Sequence, residues 1–141
     1  MANAVRLRSL TSLAVLPVLL LAMPGCSSTT AITGDTSDIA IRPSTGVAAG
    51  DSALLEGVLV HEGGCTVIRA DHGDFVPVFA EGDAAWDDDT FTFRSATGTI
   101  DTAVAGDTVR LGGGEWSGAI TSDMSVPGRC LQFALWNVAE G

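Results

Sequence analysis

The apolar positions of this chain follow two patterns. Leu10 to Met23 is one nearly continuous apolar stretch of 14 residues, preceded by Arg6 and Arg8 and followed by Pro24-Gly25-Cys26. From Leu54 onward, apolar residues instead come in short runs parted by Gly and Asp. Leu54–Val60 is the first run, and His61-Glu62-Gly63-Gly64 reads as a turn. Cys65–Arg69 returns as a second strand, and Asp71-His72-Gly73-Asp74 is the next turn. Phe75-Val76-Pro77-Val78-Phe79 is a third run, whose Pro77 has no N–H to give a ladder and so implies an edge or a bulge. Thr90–Arg94 alternates with period two, Thr108–Leu111 follows the turn Ala105-Gly106-Asp107, and Cys130–Val138 is the last and longest run. No stretch carries a helical period; a single helical turn near Gly82–Asp87 is the most the pattern allows. Five or six short strands at near-regular spacing predict an all-β fold, a small Greek-key barrel or sandwich.

Between the two regimes, residues 27–50 are mostly small and polar. Ile39 and Ile41 alternate and leave room for a short edge strand. The composition favours a flexible tether, because it has little apolar surface to offset ordering entropy. The expected layout is a signal segment over 1–25, a disordered linker over 26–50 and one β domain over 51–141. About 90 residues suffice for one modest core.

The N-terminal pattern is that of an export signal: a positive start, a short apolar segment and a small residue before the cut. The apolar stretch is shorter than the ~20 residues a spanning helix needs, and Pro17 interrupts it. Leu21-Ala22-Met23-Pro24-Gly25-Cys26 resembles the lipobox of bacterial lipoproteins. The resemblance implies that Cys26 receives a diacylglycerol and becomes the first residue of the mature chain. Gly25 fits the small residue expected before the cut, while Met23 and Pro24 depart from the commoner Leu and Ala or Ser. The expected location is the extracytoplasmic face of the cell membrane, held by the lipid.

Charge narrows the partners. All 17 acids and five of the seven Arg lie after residue 25, so that part carries −12, and there is no Lys. Such a surface disfavours nucleic acid, which needs a basic face, and direct adhesion to anionic lipid. The Arg-only, Ala- and Gly-rich composition points to a GC-rich genome. With Cys26 assigned to the lipid, Cys65 and Cys130 remain as a pair in an oxidising compartment and are expected to form a disulfide. Free buried thiols or a metal site are the alternatives. Closing a loop of that length stabilises by about 4 kcal/mol in the chain-entropy picture.

The order of parts resembles small OB-type Greek-key barrels. The carrying residues are Glu56-Gly57-Val58-Leu59, Cys65-Thr66-Val67-Ile68, and Gly106-Asp107-Thr108-Val109-Arg110-Leu111-Gly112-Gly113-Gly114. The layout also looks like that of exported lipoproteins of GC-rich bacteria. For an OB-like barrel, the resemblance implies a ligand site on the barrel face and its loops. Phe91, Arg94, Arg110 and Trp116 are the candidate ligand-binding residues on that basis. The Gly112-Gly113-Gly114-Glu115-Trp116 stretch is expected to be a loop between barrel strands, with Trp116 either closing the barrel end or exposed as a contact.

Catalytic and metal signals are weak. Trp86-Asp87-Asp88-Asp89 gathers three carboxylates but lacks the Gly and terminal Glu of an EF-hand loop. His72 lies between Asp71 and Asp74 without a nucleophile motif near it. The expectation is a non-enzymatic, lipid-anchored envelope module that binds a partner protein or small ligand, with no cofactor and no metal. Two other classes remain open: an envelope enzyme using carboxylates such as Asp87 and Asp89, and a Ca²⁺-binding scavenger whose melting temperature would rise with the ion.

Overall fold

The computed structural model describes residues 29–46 and 53–141. The segment expected to be an export signal and Cys26, the expected lipid acceptor, lie outside the described residues. Among the described residues no helix is long and apolar enough to cross a membrane.

Among the described residues the fold is all-β, with nine strands and one short 3₁₀ turn. The strands are β1 (Ala40–Arg42), β2 (Ala53–Glu62), β3 (Cys65–Ala70), β4 (Gly73–Ala80), β5 (Ala84–Asp87), β6 (Thr90–Arg94), β7 (Ile100–Val104), β8 (Thr108–Glu115) and β9 (Ala134–Val138). The large sheet runs β1-β4-β3-β2-β8-β9, and an added β4–β9 pairing closes it. Strands β2, β3, β4, β9 and β8 therefore form a closed five-stranded barrel. The β4–β9 seam is parallel and the other four seams are antiparallel. Numbered along the chain, the ring order is first, second, third, fifth, fourth: an OB-like Greek key.

The first barrel strand shows how the sequence makes this shape. β2 pairs with β8 over Ala53–Val58 and with β3 over Val58–Glu62. A strand shared in this way must bend, and Gly57 sits at the handover. A Cβ there would lie 2.5 Å from the Arg69 carbonyl oxygen. A missing side chain lets the two backbones approach at the barrel corner. On either side of it Leu55 and Leu59 point inward and are fully buried, while Leu54, Glu56 and Val58 face out.

Strands β5, β6 and β7 form a separate three-stranded sheet inserted between the third and fourth barrel strands. This insert supplies Trp86, Phe91, Phe93 and Ala103 to the same core as Leu55, Leu59, Ile68, Phe79 and Leu111. Phe79 meets Phe91 edge-on at 5.7 Å, and Phe91 stacks on Phe93 at 5.4 Å. The indole Nε1 of Trp86 donates to the fully buried Thr66 Oγ1 at 2.9 Å, and His61 stacks on its ring at 4.1 Å.

A second apolar layer lies outside the barrel. Cys65, Val67, Val76, Val78, Ala40 and Cys130 cluster there, with Met124, Val126 and Phe133 against them. The segment between β8 and β9 covers this layer, so β3 and β4 are buried on both faces. That burial explains why Phe75–Phe79 reads as continuous rather than alternating.

Five expectations are corrected. Residues 29–46 are part of the fold rather than a free tether. β1 pairs in parallel with β4 (Ala40 opposite Val78), Ile39 and Ala40 are fully buried, and Ile41 bridges Ser125. The ordering comes from the open upper edge of β4, a partner 38 residues away in register and invisible to local composition. The triple glycine lies inside β8, not in a loop. Gly113 has φ +147°, and a Cβ there would collide with the Asn137 carbonyl oxygen of β9. The Gly82–Asp87 region is a turn leading into β5, not a helical turn. The long last run is split: Gly128–Cys130 is a 3₁₀ turn, and the strand begins only at Ala134. Pro77 lies in an interior barrel strand, but beyond Phe75 the strand no longer pairs with β3. On one side Pro77 is in register with Trp136 of β9; on the other it falls in the gap between Phe75, where the β3 pairing ends, and Val78, where the β1 pairing begins.

Candidate functional site: a cleft under the disulfide

The outer face of β2 and β3 meets the 3₁₀ turn to form a cleft of about 580 Å³. That size falls within the range of small-molecule sites. Its geometry follows from strand register. Val60 lies opposite Val67, and Glu62 opposite Cys65, so alternate side chains of both strands project to this one face. The far wall is Gly128, Arg129, Gln132 and Phe133. The Cys65–Cys130 bond, with Cα atoms 5.5 Å apart, pins that wall to β3. The floor is apolar (Val60, Val67, Phe133 and the disulfide), and Arg69, Arg129 and Glu62 stand at the rim.

The five arginines of the described residues are not equivalent. Arg42 is buried against Glu140. Arg94 is buried against Asp83 at 2.9 Å. Arg110 meets Glu56 at 2.8 Å across the β2–β8 seam. Arg69 is more loosely paired, 3.6 Å from Asp74 and largely exposed. Arg129 forms no ion pair among the described residues; its Nη1 donates to the Gly63 carbonyl at 3.1 Å. The two guanidinium groups at the cleft are thus the two least neutralised.

The four candidate binding residues do not converge. Phe91 is interior core. Arg94 is structural: it donates to the Asp83 carboxylate, to the Gly98 carbonyl and to the Thr30 carbonyl. Burial takes both residues out of reach of a ligand: alternation on β6 aims Phe91 into the core, and Arg94, next to Phe93 on the opposite face, is held under its partners Asp83, Gly98 and Thr30. Arg110 is on the outer surface, and Trp116 is half-buried with its Nε1 donating to the Gly118 carbonyl. None of the four lines the cleft. The residues that do, Arg69, Arg129 and Phe133, carried one usable signal. Arg69 lies four residues after Cys65 and Arg129 directly before Cys130, so the disulfide brings their neighbourhoods together.

The carboxylates are placed as follows. Asp88 and Asp89 form the two-residue β5–β6 hairpin turn, with Asp88 at φ +50°. Asp71 and His72 form the β3–β4 turn. Among the described residues no three His, Cys, Asp or Glu side chains converge to hold a metal ion. The most perturbed carboxylate is Glu140. Burial pushes its pKa up, but bonds from Arg42, Thr45 and Ser44 outweigh that and hold it at about 2. Its oxygens accept from Ser44 Oγ, Thr45 N and Oγ1, and Gly46 N as well as from Arg42. A carboxylate so fully bonded and so acidic serves to clamp residues 42–46, not to move protons at neutral pH. Comparison with protein-family models, with curated proteins and with solved structures found no match.

Proposed function

We propose that this chain is a lipid-anchored protein of the bacterial cell envelope whose β domain is a non-enzymatic binding module. In this reading Cys26 carries the lipid, and a small ligand or a partner's side chains occupy the β2–β3 cleft. The observation that carries the binding role is the cleft itself: an apolar floor with two weakly neutralised guanidinium groups on an otherwise acidic domain. Apolar surface supplies affinity, and a few placed polar groups supply orientation. Its place beside the turn between the first two barrel strands (Glu62, Gly63) and the long connection between the last two agrees by analogy with the loops at which OB-like barrels bind. An oligonucleotide is disfavoured by the charge and by the single aromatic in the cleft, Phe133.

Two measurements test this. A photo-crosslinking residue at Gln132, inside the cleft, should capture a ligand or partner in intact cells, whereas the same residue at Thr97, on a distant turn, should not. Equal capture at both positions, or at neither, overturns the cleft as the site. For the anchor, a Cys26→Ala chain should leave the membrane fraction and lose incorporated fatty acid; unchanged membrane retention sinks the lipid attachment.

A further inference from the structure

We infer that the cleft selects a singly charged amphipathic carboxylate: an apolar body that lies on Val60, Val67 and Phe133, with its acid group against Arg129. This rests on the cleft being the binding site, and it adds the chemical class of the occupant.

The argument starts from charge accounting. The described domain has many acids and few cations, and three of its five arginines are each held by a carboxylate at hydrogen-bond distance. An acidic surface normally neutralises the cations it has. Arg129 is the exception, and it is exposed at the cleft whose lining also includes Val60, Val67 and Phe133. A guanidinium in that place can take a carboxylate on its planar fork while the apolar lining takes the rest of the ligand. Its Nη1 bond to Gly63 fixes the fork without neutralising it.

The same accounting limits the ligand's charge. Arg69 is shared with Asp74, and Glu62 lies on the same rim. Arg129 is therefore the one guanidinium at the cleft without an ion pair, and Asp38 is a further acid beside it: a Cβ at Gly64 would lie 3.4 Å from Asp38 Oδ1 and 3.7 Å from Arg129 Cδ. A monoanion is matched; a dianionic phosphate meets one charge too few and repulsion from Glu62. A cation would face Arg129 directly. The floor sets the remaining requirement: the body must be apolar, and each methylene it buries tightens binding about threefold to fourfold.

The test uses the full chain in lipid nanodiscs and diazirine-bearing octyl probes that differ only in the head group: carboxylate, carboxamide, phosphate and trimethylammonium. Label position is read by peptide mass spectrometry, so probe dissolved in the lipid does not confuse the result. The carboxylate probe is expected to label the Val60–Arg69 and Gly128–Phe133 peptides, at least tenfold more than the other three heads. Arg129→Gln should cut that labelling about tenfold, with the Cys65–Cys130 bond still intact by thiol counting. Arg110→Gln, which removes an arginine outside the cleft, should not change it. Cleft labelling that ignores the head group, or that survives Arg129→Gln, overturns carboxylate selection while leaving the cleft as a binding site. Stronger labelling by the phosphate probe overturns the single-charge limit. Absence of any cleft labelling by all four probes overturns both this inference and the reading it rests on.

Discussion

Arg42 and Glu140 lie 98 positions apart and form a buried ion pair that ties the first strand to the chain's last residues. The guanidinium also donates to Asn137 Oδ1 at 2.8 Å and to the Val138 carbonyl at 3.1 Å, while the carboxylate gathers Ser44, Thr45 and Gly46. One side chain from each end thus organises a strap that local sequence leaves unordered. Removing one partner of such a pair strands the other charge in a dry site. Arg42→Met is expected to cost about 3–5 kcal/mol in the denaturant midpoint analysis. Loss under 1 kcal/mol would mean that the strap contributes little to the fold.

The same carboxylate makes stability depend on pH at the acid end. Its folded pKa is about 2, below the ordinary 4.5. A depressed pKa means that the unfolded chain binds the proton more readily. The contribution is therefore complete above about pH 4.5 and is lost as pH falls from there toward 2. Thermal melts should show Glu140→Gln flattening the acid limb between those values. An unaltered limb in the variant would place the acid sensitivity elsewhere.

Cys65–Cys130 joins β3 to the segment that walls the cleft. Replacing both with Ala is expected to cost about 2–5 kcal/mol. Amide exchange should quicken first in Gly128–Phe133, while Leu55, Leu59 and Ile68 in the barrel interior stay protected. Uniform loss of protection would show that the bond supports the barrel as a whole and not just its outer layer.

Gly113 and Gly106 separate backbone conformation from crowding. Both have positive φ, +147° and +100°, but a Cβ at Gly106 meets nothing within 4 Å, whereas at Gly113 it meets the Asn137 carbonyl. Gly106→Ala should cost about 1 kcal/mol from the dihedral alone. Gly113→Ala should cost at least twice that and disturb the β8–β9 seam, read as lost amide protection at Val138. Equal costs would mean that β9 yields without penalty.

Phe91 tests the reassignment of a candidate binding residue to the core. It touches Phe79, Trp86 and Phe93 in the interior. Phe91→Ala is expected to lower stability by about 3–5 kcal/mol. Phe133→Ala, at the half-buried cleft floor, should cost far less stability and instead weaken capture at Gln132.

The positions of the main barrel strands along the chain were legible because each announces itself locally, whereas closure into a barrel and not a sandwich was left to the pairing of distant strands. Inward Leu55 and Leu59 alternate with outward Glu56 and Val58, and the turns Gly63-Gly64 and Asp71-His72 end their strands on schedule. β7 was missed because its residues, Ile100-Asp101-Thr102-Ala103-Val104, bury only Ala103 and so lack an apolar rhythm. β1 was allowed for by the alternation of Ile39 and Ile41 but ranked below a tether for a related reason: Arg42-Pro43 and the polar surroundings signal a loop, and burial of Arg42 depends on a carboxylate at the far end of the chain.

By itself the amino-acid order determined the all-β class and the main barrel strands, and made Cys65 and Cys130 the expected pair, since pleat period, turn chemistry and cysteine number are properties of short segments or simple counts. Folding in three dimensions decided the rest. Whether Phe91 and Arg94 face a ligand or a core, whether the glycine triplet bends or pairs, and which arginine is left without a carboxylate all depend on neighbours far away in the chain. Charge neutralisation and burial are sums over surrounding atoms, and those surroundings exist only once the barrel has closed.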